Sequence, residues 1–136
     1  MNTHVEFRSH SFPAREGEED EINPGRWGMA LAEFLADGIT KAGFTADVGG
    51  YEDWGVYILV ENEEFPLMVG CGNYEEYDDG FLVFIDPSKP EIKKSLFRRR
   101  TINTRAVIEK LAEAIEETLQ QGEDIRGLRW WTEDEA

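Results

Sequence analysis

Residues 51–86 read YEDWGVYILVENEEFPLMVGCGNYEEYDDGFLVFID, and this stretch decides the fold class. It holds three runs with strand chemistry, Trp54–Glu61, Phe65–Cys71 and Phe81–Asp86, separated by Asn62-Glu63-Glu64 and by the longer Gly72–Gly80 segment. Alternating apolar and β-branched residues between turn-forming clusters predict an antiparallel meander. Successive strand side chains point to opposite faces. Trp54, Val56, Ile58 and Val60 should share one face, with Tyr57 and Leu59 on the other. Phe65, Leu67, Val69 and Cys71 oppose Met68, and Phe81, Val83 and Ile85 oppose Leu82 and Phe84. Both faces are therefore apolar, whereas a sheet wetted on one side would carry polar residues there. The second face needs a cover: another helix, the C-terminal tail or a second copy of the chain.

Two stretches of helical period flank the meander. After Asn23-Pro24, which suit a helix cap and first helical position, Trp27, Leu31, Phe34, Leu35 and Ile39 recur on one face and predict a helix over Pro24–Ala42. Gly28 and Gly38 are expected to let it approach the sheet closely, and Gly43 to end it. A second helix is expected over Arg105–Gln121, with Val107, Ile108, Leu111, Ile115 and Leu119 as its buried stripe and Gly122 after it. His4–Phe12 alternates like a half-buried strand at a sheet edge. Glu16–Glu21 reads as a solvated acidic loop, Phe44–Val48 as a short strand and Gly49-Gly50 as a turn. The tail Ile125–Thr132, carrying Trp130-Trp131, ends in acidic residues and can form a closing strand. Together these predict one α+β domain over residues 1–136, two layers deep, with two main helices on an antiparallel sheet.

The formal net charge is -15, which repels nucleic acid and anionic lipid and favours basic partners. A single cysteine excludes a disulfide framework. The N-terminal residues lack the apolar core of a secretion signal, and Phe81–Ile85, the longest apolar run, is far short of the roughly 20 residues a membrane helix needs. A reducing, cytoplasmic setting is expected, with neither nucleic acid nor membrane as partner.

Arg26-Trp27-Gly28, Glu52-Asp53-Trp54-Gly55, Phe65-Pro66-Leu67-Met68-Val69-Gly70-Cys71-Gly72-Asn73-Tyr74 and Asp79-Gly80-Phe81 resemble a group of small bacterial proteins of unassigned function, over about residues 23–90. The resemblance implies a bacterial origin and a compact α+β domain. It implies no activity, substrate or catalytic residue.

Candidate chemistry is sparse. Cys71 shares strand parity with Val69 and lacks a neighbouring base, so it reads as a core residue rather than a nucleophile. His4 and His10 lie about 20 Å apart along a strand, too far to chelate one ion. HExxH, P-loop and GxGxxG patterns are absent, and no cofactor is expected. Glu75, Glu76, Asp78 and Asp79 offer oxygen ligands of the kind Ca²⁺ or Mg²⁺ take, but they lack the spaced EF-hand pattern, and a solvated hairpin tip explains them better. Arg98-Arg99-Arg100 could hold a phosphate, but pairing with the acidic surface suits this chain better. Tyr74, Tyr77, Trp130 and Trp131 are the candidate interaction surface, since aromatic side chains dominate binding hot spots. In a strand, Trp130 and Trp131 must face opposite ways.

The expected function is a non-enzymatic acidic module for a protein partner of basic character, of the immunity or antitoxin inhibitor type or an adaptor, with homodimerisation as one cover for the second sheet face. The alternative is a small enzyme or ligand-binding protein, which a pocket lined by Tyr57 and a carboxylate would favour.

Overall fold

A computed structural model describes residues 1–74, 76–94 and 100–132. Its elements in chain order are β1 (His4–Arg8), α1 (Glu18–Glu21), α2 (Met29–Lys41), β2 (Ala46–Glu52), β3 (Gly55–Val60), β4 (Leu67–Asn73), β5 (Gly80–Asp86), β6 (Glu91–Lys94), β7 (Arg100–Asn103), α3 (Arg105–Gln120) and β8 (Arg126–Trp131). The architecture is α+β, with α2 and α3 packed on a six-stranded antiparallel sheet of order β2-β3-β4-β5-β1-β8.

The meander forms as the alternation requires, with Val56 opposite Cys71 and Cys71 opposite Val83. Val5, Val56, Ile58, Val69, Cys71, Val83 and Ile85 are buried to within 1% of completeness, under the helices. Leu31, Leu35 and Ile39 of α2 and Ile108, Leu111 and Ile115 of α3 close the core from above at zero exposure. Packing of two apolar helix stripes on one apolar sheet face supplies the main driving force, since burial of each large aliphatic side chain contributes about 1.5–3 kcal/mol.

Several local expectations are corrected. The first strand is not at an edge: β5 pairs with one side of β1 and β8 with the other, so the tail satisfies backbone groups that an edge would expose. The Gly49-Gly50 pair makes no turn. It lies within β2 at a register shift, and the reversal falls on Asp53-Trp54. A separate two-stranded antiparallel sheet pairs β6 with β7, and Ile102 of β7 is buried against the core.

The first helix starts at Met29 rather than Pro24, leaving Trp27 outside it. Asn23 does not cap it, because its side chain donates to Asp53 O at 2.8 Å. The cap comes instead from within the supposed solvated loop. Glu18 is only 2% exposed and accepts from the backbone N–H groups of Gly28 and Met29. Glu18–Glu21 form a short helical turn that presents this carboxylate. Gly28 does permit close approach to the sheet: a Cβ there would lie 2.6 Å from Cys71 O. Gly38 serves a different contact, the crossing of α2 with α3, where a Cβ would lie 2.8 Å from Thr118 Cβ.

Candidate functional site: the reverse face of the sheet

Both long helices lie on one face of the sheet. Strand register then dictates what the opposite face shows. One row runs Asp47, Leu59, Met68, Asp86 across β2 to β5. The next runs Tyr57, Gly70, Phe84, His4, Trp131 across β3 to β8. A third runs Gly72, Leu82, Glu6, Arg129. Leu59 is 54% exposed, and Tyr57, Met68, Leu82 and Phe84 are half-buried. The second apolar face foreseen from the alternation is therefore present, and neither long helix covers it.

Its centre is an aromatic strip. Trp131 stacks on His4 with ring centroids 4.2 Å apart, His4 on Phe84 at 5.9 Å, and Phe84 meets Trp54 at 4.9 Å. Trp54 sits in the β2–β3 turn, so it leaves the parity of Val56 and folds onto this reverse side. Gly70 makes room: a Cβ there would lie 2.8 Å from the Trp54 ring and closer still to Phe84. Adjacent aromatic rings of this kind contribute about 0.5–1.5 kcal/mol per pair beyond their burial. The indole Nε1 of Trp131 is buried without a hydrogen-bond partner.

At the β8 end the strip meets an ion-pair network. Arg129 pairs with Glu6 at 2.8 Å, and Tyr74 donates to the other oxygen of Glu6 at 3.4 Å. Burial, and next the charge of Glu6, push the Tyr74 phenol up to about 12, so it stays neutral at physiological pH. Asp79, 5% exposed, is held by Arg8 at 2.8 Å and Arg126 at 2.6 Å, with His10 at 3.4 Å. Hydrogen bonds from Arg126 and then Arg8 keep its carboxyl at about 2. Arg8 also lies over the Tyr77 ring at 4.3 Å.

At the β3 end the reverse face opens into a hollow of about 650 Å³. Tyr57, Leu59, Pro66 and Met68 give it apolar walls, and Glu52, Glu61, Glu63 and Asp86 stand around it.

The four candidate aromatic residues are not brought together. Tyr74 and Tyr77 meet edge to face at 6.5 Å beside Glu6 and Arg8, and Trp131 belongs to the central strip. Trp130 faces the other way, as strand parity requires, and donates its indole N–H to Glu116 of α3. Cys71 is fully buried, and burial raises its thiol pKa. His4 and His10 occupy opposite ends of the β1 region, in the strip and beside Asp79. Of the acidic run, Asp79 is occupied by arginines, Glu76 and Asp78 are exposed, and Glu75 lies outside the described residues. Among the described residues no three His, Cys, Asp or Glu side chains are placed to share an ion. Arg98 and Arg99 lie outside the described residues, and Arg100 is exposed on β7. No helix among the described residues is long and apolar enough to cross a membrane.

Comparison with protein-family models, with curated proteins and with solved structures found no match to this chain. The geometry of the reverse face is thus the ground for a functional reading. Trp54 and His4 were not singled out as surface aromatics from the sequence. The register that sets β1 beside β5 and β8 places His4 in line, and the β2–β3 turn brings in Trp54.

Proposed function

We propose that this protein is a non-enzymatic acidic module that binds a basic protein partner through the reverse face of its sheet. One observation carries the reading: a chain of net charge -15 has an aromatic and aliphatic sheet face that neither long helix covers. Large contiguous apolar patches on soluble proteins commonly mark interaction sites. The charge selects the partner's sign, since a strongly acidic surface steers basic proteins and repels acidic ones. An inhibitor of the immunity or antitoxin type, or an adaptor for a basic segment, fits this description.

The test uses the purified protein as bait in extracts of its source cell, followed by calorimetry with each captured protein in pure form. The expected result is a basic partner whose affinity falls with rising salt and falls again for Phe84→Ser. Partners that are acidic, or that bind Phe84→Ser as tightly as the wild type, would rule the reading out.

A second reading has its own support. The hollow lined by Tyr57 and carboxylates is the kind of feature that suits a small-ligand site. A small enzyme or ligand-binding protein would use it directly, with the phenol and a carboxylate as polar contacts.

A further inference from the structure

The hollow at the β3 end of the reverse face combines two chemistries that fit one type of side chain. Its floor is Leu59 and Met68, neighbours across β3 and β4, with Tyr57 beside them. Asp86 follows Met68 in the same row, and Glu52 and Glu61 stand at the margin. Strands lie about 4.8 Å apart, so the row from Leu59 to Asp86 spans about 10 Å of apolar surface ending in a carboxylate. Among the described residues Leu59 is the most exposed of the large apolar side chains, at 54%.

Some acids elsewhere in the chain are paired with cations, among them Glu6 with Arg129, Glu33 with Arg15, Asp79 with Arg8 and Arg126, and Glu109 with Arg105. Among the described residues no ion pair engages Glu52, Glu61 or Asp86. An apolar floor with an unpaired acidic margin is complementary to a side chain that is itself part alkyl and part cation. Lysine and arginine have that form: their methylene stems lie on apolar surface while their heads seek charge.

We infer that this hollow receives a lysine or arginine side chain of the protein partner, its stem on Leu59 and Met68 and its cation between Asp86 and Glu61. The inference rests on the acidic-module reading and adds its anchoring subsite. The hollow is continuous with the aromatic strip, because the Leu59–Met68–Asp86 row adjoins the Tyr57–Gly70–Phe84 row. A segment crossing the strands would thus place a basic residue in the hollow and an apolar one on Phe84 and Trp54. Recognition of this sort depends on both charge and apolar area, which separates it from diffuse attraction to a polyanion.

The experiment titrates the full-length protein with three probes at fixed moderate salt: a peptide of about ten residues alternating Lys with Leu, one alternating Lys with Gly, and free butylamine. The Lys-Leu peptide should bind, and the Lys-Gly peptide and butylamine at least about tenfold more weakly. The double variant Glu61→Gln/Asp86→Asn should weaken the Lys-Leu peptide about fivefold or more. So should Leu59→Ser, and melting curves should show both variants folded. The control Glu113→Gln/Glu117→Gln removes the same charge from α3 and should leave affinity within about twofold. Equal losses for the two double variants would show general charge attraction and overturn the subsite while leaving the acidic module standing. Butylamine binding as well as the peptide would overturn it in favour of a small-ligand pocket. Failure of every basic probe to bind would remove both the subsite and the reading beneath it.

Discussion

The carboxylate of Glu18 accepts hydrogen bonds from the backbone N–H groups of Gly28 and Met29 at 2.8 and 2.7 Å, capping α2 from ten residues upstream. Its other oxygen accepts from Arg15 N at 3.0 Å, which fixes the turn that carries it. An anion at a helix N-terminus meets both free N–H groups and the positive end of the helix dipole. The short helical turn α1 therefore exists to hold a cap that the residues next to α2 do not provide.

Glu18→Ala should cost about 1–3 kcal/mol, because it strands buried donors as well as removing a charged acceptor. Glu18→Gln should recover part of that, since one amide oxygen can still accept. Urea unfolding with an unchanged slope reads the loss directly. A change below about 0.5 kcal/mol for Glu18→Ala would mean that water replaces the carboxylate and that the cap is not structural.

Asp79 sets an acid limit on stability. Its folded-state pKa, about 2, lies below the ordinary carboxylate value of 3.8, with Arg126 and Arg8 as the main causes. A depressed pKa means that the folded form binds its proton less readily than the unfolded form. The contribution is therefore complete above about pH 4 and is lost as the pH falls from there towards 2. Asp79→Asn should lower the urea midpoint at pH 7 and flatten its fall between pH 4 and pH 2. An Asn variant that loses as much stability as the wild type across that window would show that other carboxylates carry the acid response. Both arginines are nearly half exposed, so added salt should blunt the difference at pH 7.

The sequence made the layer structure legible and left the polar fastenings obscure. Val56, Ile58, Val69, Val83 and Ile85 could be assigned to one face because strand parity is local. The α3 stripe from Ile108 to Leu119 could be read for the same reason, at helical period. Glu18 could not, since a carboxylate in a run of acids carries no mark of the distant helix end it will meet. Asp79 likewise looked like one more acid in a loop. Its partners Arg8 and Arg126 come from strands at the two ends of the chain, and only the pairing of β1 with β5 and β8 brings them together. The reverse face was half legible: its apolar composition follows from parity, but the strip from Trp131 through His4 to Phe84 needs the strand order.

Cys71 should behave as a core residue. It is fully buried on β4, and burial raises its thiol pKa, so almost no thiolate is present at neutral pH. Iodoacetamide labelling of the native protein at neutral pH should be slow and should become rapid in urea. Cys71→Ala should leave partner binding intact at a modest cost in stability. Fast labelling without denaturant would show that the strand opens readily or that the thiol has a base nearby.

The open sheet face should also make the isolated protein self-associate weakly. Leu59, Phe84 and Trp131 offer an apolar surface that one two-fold axis could pair with its copy, and stable dimers bury about 800 Å² on each side. Charge acts against this, because two chains at -15 repel each other. At an ionic strength of about 0.01 M the Debye length is about 30 Å and the repulsion reaches across both molecules, whereas at about 0.15 M it falls to about 8 Å. Apparent mass by light scattering should therefore rise with both protein and salt concentration. This is opposite to the salt response of a basic partner, whose attraction the same ions screen. Leu59→Glu should hold the protein monomeric at high salt by placing a charge within the face. A wild-type protein that stays monomeric at high concentration and moderate salt would show that the face is shielded within one chain, and the partner-binding surface would then have to be sought elsewhere.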